Sequence, residues 1–313
     1  MKKIAVDAMG GDFAPRAVVE GAILASSELP EGYQIVLVGK KDAMLEVLRT
    51  LTYKANSIEM VDASEVIEMG EHPTRAFGQK PNSSIGVGFK LLKEGSVSAF
   101  VSAGNTGAMM VGSLFTLKTV GNIQRPPIAG YLPLKGGKYG IMLDIGANAD
   151  CKPEVLNQFA ELGSIHAKYT LNIENPRVGL LNIGEEEEKG NTVTQAAYQL
   201  LKNNKKINFV GNIEGRDIFE AKADVLVSDG FTGNIIFKMG ESLYEHAASV
   251  GINDDLINRM NYEVVGGSPI IGINGNVIVG HGISSPTAIK NMIRLAQRQI
   301  ESNVVDKIKE AFA

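Results

Sequence analysis

Two segments of the sequence mix glycine with hydroxyl and amide side chains in a way that suits an anion: Ser102-Ala103-Gly104-Asn105-Thr106-Gly107 and Ser228-Asp229-Gly230-Phe231-Thr232-Gly233-Asn234. Glycine lets a backbone approach a ligand closely, and the free N–H groups at the start of a helix attract negative charge. Gly104, Asn105, Thr106 and Gly107 in the first turn, and Gly230, Thr232 and Gly233 in the second, could thus cradle a phosphate. Ser, Thr, Asn and Gly are also ordinary helix-capping residues, so capping alone is the competing reading of either turn. Neither turn is a Walker loop, since no Gly-Lys-Ser/Thr follows at the required spacing, and neither has the glycine spacing of a dinucleotide fingerprint.

A third segment, Gly184-Glu185-Glu186-Glu187-Glu188-Lys189-Gly190-Asn191, sets four acids beside one cation. The glutamates read as a solvated loop, because they would repel an anionic ligand. Lys189 could hold phosphate or neutralise an oxyanion; an ion pair with its own glutamates is the alternative. His281, in Gly280-His281-Gly282-Ile283-Ser284-Ser285, sits at a strand-to-helix turn and is a further candidate, whereas His72, His166 and His246 read as surface or capping residues. Asp7, Asp12, Asp144, Asp150 and Asp229 end apolar runs without the pattern of a metal cluster, and Asp144 and Asp229 could simply cap helices. Cys151 has no neighbouring base and reads as an incidental thiol.

The elements that must position these residues follow from periodicity. Short apolar runs at 4–9, 35–38, 99–101, 141–145, 178–183, 209–210 and 225–227 each feed a turn containing glycine, as buried strands do. Segments 14–29, 42–51, 82–93, 105–117, 153–169 and 191–201 carry helical spacing between them. Alternating strands and helices predict an α/β fold with a largely parallel sheet and flanking helices, taken as a single unit over residues 1–313. In such a sheet the strand-to-helix turns line up along the carboxyl edge, so the two glycine-rich turns are expected on one edge. Residues 128–134, bracketed by Pro126-Pro127 and Gly136-Gly137, read as an edge strand or arm because proline cannot donate to a ladder. Asn274-Gly275 predicts a small β-hairpin. Residues 235–262 are helical in pattern, with Ile235, Ile236, Met239, Leu243, Ala247 and Val250 forming one apolar stripe.

Composition narrows the function classes. Across 313 residues, 31 Lys+Arg against 35 Asp+Glu give a net charge of -4, without the basic excess a nucleic-acid binder uses against phosphates. One cysteine cannot form an intramolecular disulfide, which fits a reducing cytoplasm. The apolar run near the N-terminus is broken at Asp7, too early for a signal peptide or a membrane span.

Five ordered motifs, Val6-Asp7-Ala8-Met9-Gly10-Gly11-Asp12, Ser102-Ala103-Gly104-Asn105-Thr106-Gly107-Ala108, Leu143-Asp144-Ile145-Gly146-Ala147-Asn148, Asn182-Ile183-Gly184-Glu185-Glu186-Glu187-Glu188-Lys189-Gly190 and Asp229-Gly230-Phe231-Thr232-Gly233-Asn234, together resemble the bacterial phosphate acyltransferases that open phospholipid synthesis. The resemblance spans nearly the whole chain. It implies transfer of an acyl group from acyl carrier protein to inorganic phosphate, without a cofactor, in a homodimer with an isopropylmalate-dehydrogenase-like or phosphotransacetylase-like fold. It also implies Lys189 and Asn234 as catalytic residues with Asp229 beside them, and a membrane glycerol-3-phosphate acyltransferase as partner. The family's long helical hairpin after the position of Asn234 is shortened here, to residues 235–265, which puts direct membrane docking in question and leaves a dimer-interface role for the stripe. A cytoplasmic enzyme reaching the membrane through its partner is the resulting expectation. Three rivals remain: a coenzyme A-dependent phosphate acetyl- or butyryltransferase, a metal- and nicotinamide-dependent decarboxylating dehydrogenase, and a non-enzymatic carrier-protein scaffold. The dehydrogenase needs clustered arginines, which Arg16, Arg75, Arg125, Arg177 and Arg216 do not supply in any tight motif.

Overall fold

Runs of Val, Ile, Leu and Ala, covered on both faces, become the central strands of two sheets in a computed structural model that describes residues 1–53 and 57–313. In chain order the strands are β1 (Lys2–Asp7), β2 (Tyr33–Gly39), β3 (Ile58–Asp62), β4 (Ala99–Ser102), β5 (Ala129–Pro133), β6 (Tyr139–Leu143), β7 (Arg177–Asn182), β8 (Asn208–Glu214), β9 (Val225–Val227), β10 (Ser268–Ile270) and β11 (Asn276–Val279). They fall into two compact units: the first comprises Met1–Thr119 with Tyr262–Glu301, the second Val120–Asn261 with Ser302–Ala313. Each unit has its own sheet. Periodicity identifies strands but not which strands share a sheet.

The first unit holds a six-stranded sheet in the order β10-β11-β4-β1-β2-β3. All neighbours pair parallel except β10 and β11, the hairpin predicted at Asn274-Gly275. Ile4, Val6, Ile35, Leu37 and Phe100 are fully buried in it, and Phe89 packs edge-on against Phe100 at 5.1 Å between centroids. The parallel order brings the carboxyl ends of β1, β4 and β11 side by side.

The second unit holds a five-stranded sheet, β5-β6-β9-β7-β8, parallel except for β5, which runs antiparallel to β6 at the edge, as the flanking prolines predict. Leu132, Met142, Leu181, Ile213, Ile218, Ala223 and Leu226 form a core cluster on this sheet. Three helices bear on the site below. Pro153–Thr170 starts with proline in its first turn, Thr192–Asn203 is capped by Asn191, and Gly230–Ser249 is capped by Asp229. The long helical segment expected over 235–262 instead ends at Ser249 and resumes as the short helices Asp255–Asn258 and Tyr262–Val265. Gly251, at φ +75, lies in the break between the first two.

Candidate active site

At the carboxyl edge of the second unit's sheet, the turns after β6, β7, β8 and β9 enclose a cavity of about 850 Å³. Its apolar wall is Leu156, Leu180, Leu181, Val193 and Ile236, and its polar wall includes Asp150, Asn182, Asn191, Thr194, Arg216, Asp229 and Thr232. A volume of this order is typical of small-molecule sites.

The wall is held by side chains that tie one turn to the next. Asp144, fully buried after β6, accepts hydrogen bonds from the N–H groups of Ile128 (3.0 Å), Gly146 (3.2 Å), Ala147 (3.1 Å) and Asn148 (2.6 Å), and from Asn148 Nδ2 (2.9 Å). It therefore organises a turn instead of capping a helix. Burial raises its carboxyl pKa and these donors pull it back, with burial the larger effect. Asp229 does cap: its Oδ1 accepts from Thr232 N at 2.7 Å, which starts the helix Gly230–Ser249 at the cavity. That helix must approach the 144–148 turn closely. A methyl at Gly233 would lie 1.9 Å from the Asp144 carbonyl oxygen, and one at Gly230 would lie 2.7 Å from that of Asn148, so both positions require glycine for packing. Asn234 completes the tie, donating from Nδ2 to Ile145 O at 3.1 Å while remaining exposed.

After β7, Asn182 donates from Nδ2 to Lys189 O at 3.1 Å and lines the cavity, as do Gly190 and Asn191 immediately after Lys189. Lys189 itself is exposed. Among the described residues no carboxylate pairs with its ammonium, although four glutamates precede it. Two of those pair elsewhere: Glu187 with Lys202 at 2.6 Å and Glu185 with Lys222 at 3.1 Å. The acidic run is thus a surface loop, as read, and it leaves its one cation available. Glu185, Glu214 and Asp217 lie close enough together to suggest a metal site. Lys222 already bonds Glu185 and Asp217, and Arg216 pairs with Glu214.

The expected single edge is two edges, because β4 and β9 belong to different sheets. The turn after β4 uses its polar groups internally. Asn105, 5% exposed, caps the helix Thr106–Gly112 through Ala108 N (2.9 Å) and donates to the carbonyls of Glu68, Met69 and Glu71. Gly104 N–H donates to Ser102 Oγ (2.9 Å), which donates to buried Asp7 (2.6 Å); Gly107 packs on Pro73, and Thr106 is exposed. His281 follows β11 in the same unit, its ring 5.0 Å from that of Tyr262. Of the sequence-predicted residues, Asp229 and Thr232 line the cavity; Lys189, Gly230, Gly233 and Asn234 sit on its bordering turns; and Gly104, Asn105, Thr106, Gly107 and His281 lie in the other unit.

Sequence reasoning missed Asn182, Asn191, Thr194 and Arg216 as lining residues. The signal for Asn182 and Asn191 was their position at either end of the 184–190 loop; Arg216 carried none. His166 corrects an expectation: it is not a surface or capping residue but fully buried, 3.0 Å from Tyr131 Oη, with its pKa lowered by burial to about 4. Cys151 lines the cavity, and burial, with Asp144 and Asp229 adding negative potential, pushes its thiol up to about 12, so it stays protonated.

A family model described as fatty acid synthesis protein matches residues 2–255. A phosphate acyltransferase of Dictyoglomus thermophilum is 43% identical over 330 residues, covering 99% of this chain and 98% of that protein. One from Heliobacterium modesticaldum is 45% identical over 330 residues, covering 98% and 97%. Among solved structures, a phosphotransacetylase from Streptococcus pyogenes superposes with a TM-score of 0.69 at 17% identity, covering 96% of this chain and 94% of that one. A branched-chain phosphotransacylase from Enterococcus faecalis gives 0.65 at 15%, covering 96% and 99%. The fold is thus phosphotransacetylase-like.

Proposed function

The chain belongs to the fatty acid synthesis protein family, and from that premise we propose that it moves a fatty acyl group from the thioester of acyl carrier protein onto inorganic phosphate. A phosphate oxygen attacks the thioester carbonyl carbon, the C–S bond breaks, and the carrier leaves as a thiolate that takes up a proton. The products are acyl phosphate and free carrier. Phosphate is already an anionic nucleophile and the thiolate is a tolerable leaving group, so the protein's work is to position the reactants and stabilise the developing oxyanion. Lys189, unpaired among the described residues, neutralises phosphate or oxyanion charge. Asn234 offers the second N–H of an amide already oriented by Ile145 O, and Asp229 orients the helix that carries it.

The observation that carries this reading is the cavity, because the turns bearing the third, fourth and fifth of the five motifs, 144–150, 182–191 and 228–234, border one space. The acyl phosphate is then consumed by a membrane glycerol-3-phosphate acyltransferase. A second copy of the chain covers Phe231, Ile235, Met239 and Leu243, which recur every four residues along one helix and are 64%, 51%, 59% and 49% exposed. No helix among the described residues is long and apolar enough to cross a membrane, and we assign the enzyme to the cytoplasm with access to the membrane through its partner.

The test supplies acyl carrier thioester, acyl-coenzyme A or a nicotinamide cofactor in turn, with phosphate, and follows thiol release and absorbance. Phosphate-dependent thiol release from the carrier thioester, well above that from acyl-coenzyme A, is expected. Preference for coenzyme A overturns the assignment of the carrier, and absence of phosphate-dependent release overturns the reaction.

A further inference from the structure

The lining of the second unit's cavity does not suit the smaller of the two proposed substrates. Its volume, about 850 Å³, is several times the roughly 100 Å³ that a phosphate ion needs, at ~30 Å³ per water displaced. Its charged lining is Asp150, Glu214 and Asp229 against Arg216, and Arg216 is already paired with Glu214. A free phosphate anion would meet like charge there. One wall is aliphatic, from Leu156, Leu180, Leu181, Val193 and Ile236. The other presents acceptors and amide groups: the Asp150 and Asp229 carboxylates, and Asn191, whose Oδ1 holds Val193 and Thr194 N–H (3.0 and 2.9 Å) and whose NH2 is left for a ligand. A ligand matched to these walls is uncharged, part amide and part alkyl.

We infer that this cavity takes the pantetheine-and-acyl arm of the thioester, its amide N–H groups toward Asp150 and Asp229 and its carbon chain against the leucine wall, while inorganic phosphate is held outside it. The inference rests on the reaction proposed above. It divides the work of the site: the cavity fixes the electrophile, and Lys189, one residue before the lining residue Gly190, meets the nucleophile at its border.

Cys151 makes the inference directly measurable, since it is the chain's single cysteine and lines the cavity. Because burial keeps this thiol protonated, its alkylation is slow, so the full-length protein is treated with excess iodoacetamide at about pH 8.5 over hours and followed by intact mass, with an S-alkyl pantetheine thioether, which binds but cannot transfer, and separately with inorganic phosphate. The thioether at ten times its dissociation constant is expected to slow modification about tenfold, and phosphate to leave the rate unchanged. Val193→Trp, which fills the aliphatic side, is expected to raise the KM for the acyl thioester about tenfold with the KM for phosphate unchanged. Protection by phosphate, or none by millimolar thioether, overturns the assignment, and the wild-type modification rates decide it even where Val193→Trp fails to fold. Phosphate-dependent turnover without protection would sink the cavity assignment alone; protection without turnover would sink the reaction and leave the cavity's ligand standing.

Discussion

His166 is predicted to make the second unit acid-sensitive. It lies in the helix Pro153–Thr170 with no exposed surface, its Nε2 3.0 Å from Tyr131 Oη, and its Nδ1 buried without a partner among the described residues. A neutral ring needs one donor and one acceptor, whereas an imidazolium needs two acceptors and would leave a charged N–H unpaired in the core. The folded-state pKa therefore falls from 6.5 to about 4.

The sign follows from proton binding. Between about pH 4 and 6.5 the unfolded chain holds a proton on this ring and the folded chain does not, so stability falls as pH falls through that window and is unaffected above it. At ~1.36 kcal/mol per unit, the full loss is about 3 kcal/mol below pH 4, and about 2 kcal/mol of it is reached by pH 5. Urea unfolding of the wild type and of His166→Gln, at pH 7.5 and pH 5, isolates this group because the other titrations are common to both. The wild type is expected to lose about 2 kcal/mol more than the variant between the two pH values. Equal losses would refute the reasoning, since they would mean that the ring is protonated, or partnered at Nδ1, in the folded protein.

Lys189→Ala is expected to lower turnover by ~10²-fold or more, the typical effect of removing one preorganised donor to an oxyanion, while the urea midpoint stays put because Lys189 forms no ion pair among the described residues. Glu186→Gln should be nearly silent in the same assay, the surface ion pairs of the loop belonging to Glu185 and Glu187. Gly233→Ala places a methyl 1.9 Å from the Asp144 carbonyl oxygen, and calorimetry should register ~1–3 kcal/mol of destabilisation together with lost activity. Co-sedimentation of the purified protein with anionic vesicles should be weak, because Lys238 is paired with Glu241 and Arg259 donates to the carbonyls of Leu134 and Lys138; strong, salt-sensitive binding would show that the segment docks directly.

Most of the fold was legible because buried parallel strands leave an unambiguous trace. Residues 99–101, 178–183 and 225–227 are continuous apolar runs ending in small or polar turn residues, and they became β4, β7 and β9 nearly to the residue. The prolines at 126–127 placed β5 at an edge, and Asn274-Gly275 placed the hairpin of β10 and β11. What was not legible depends on distance in space. The sheet to which β4 or β9 belongs is decided by long-range pairing, which has no local signature. The Ile235–Val250 stripe read as one face, yet in the folded helix Ile236 packs on the core cluster, Ala247 is buried, and Ile235, Met239 and Leu243 point to solvent.

The site was legible in part, for a reason that lies in the residues themselves. A helix N-cap and an anion site use the same side chains for the same purpose, to satisfy free N–H groups or to present donors, so the turns at 102–107 and 229–234 could not be ranked by composition. Burial separates them. Asn105 directs its Oδ1 and Nδ2 to the protein and is shut away, whereas Asp229 caps its helix with one oxygen and still lines a cavity. The same distinction explains Lys189, whose four acidic neighbours in sequence left an internal ion pair as open as an anion-binding role. Two of those acids find Lys202 and Lys222 from other elements, a choice of partners decided by the tertiary fold, and among the described residues no carboxylate pairs with Lys189 on the loop that borders the cavity.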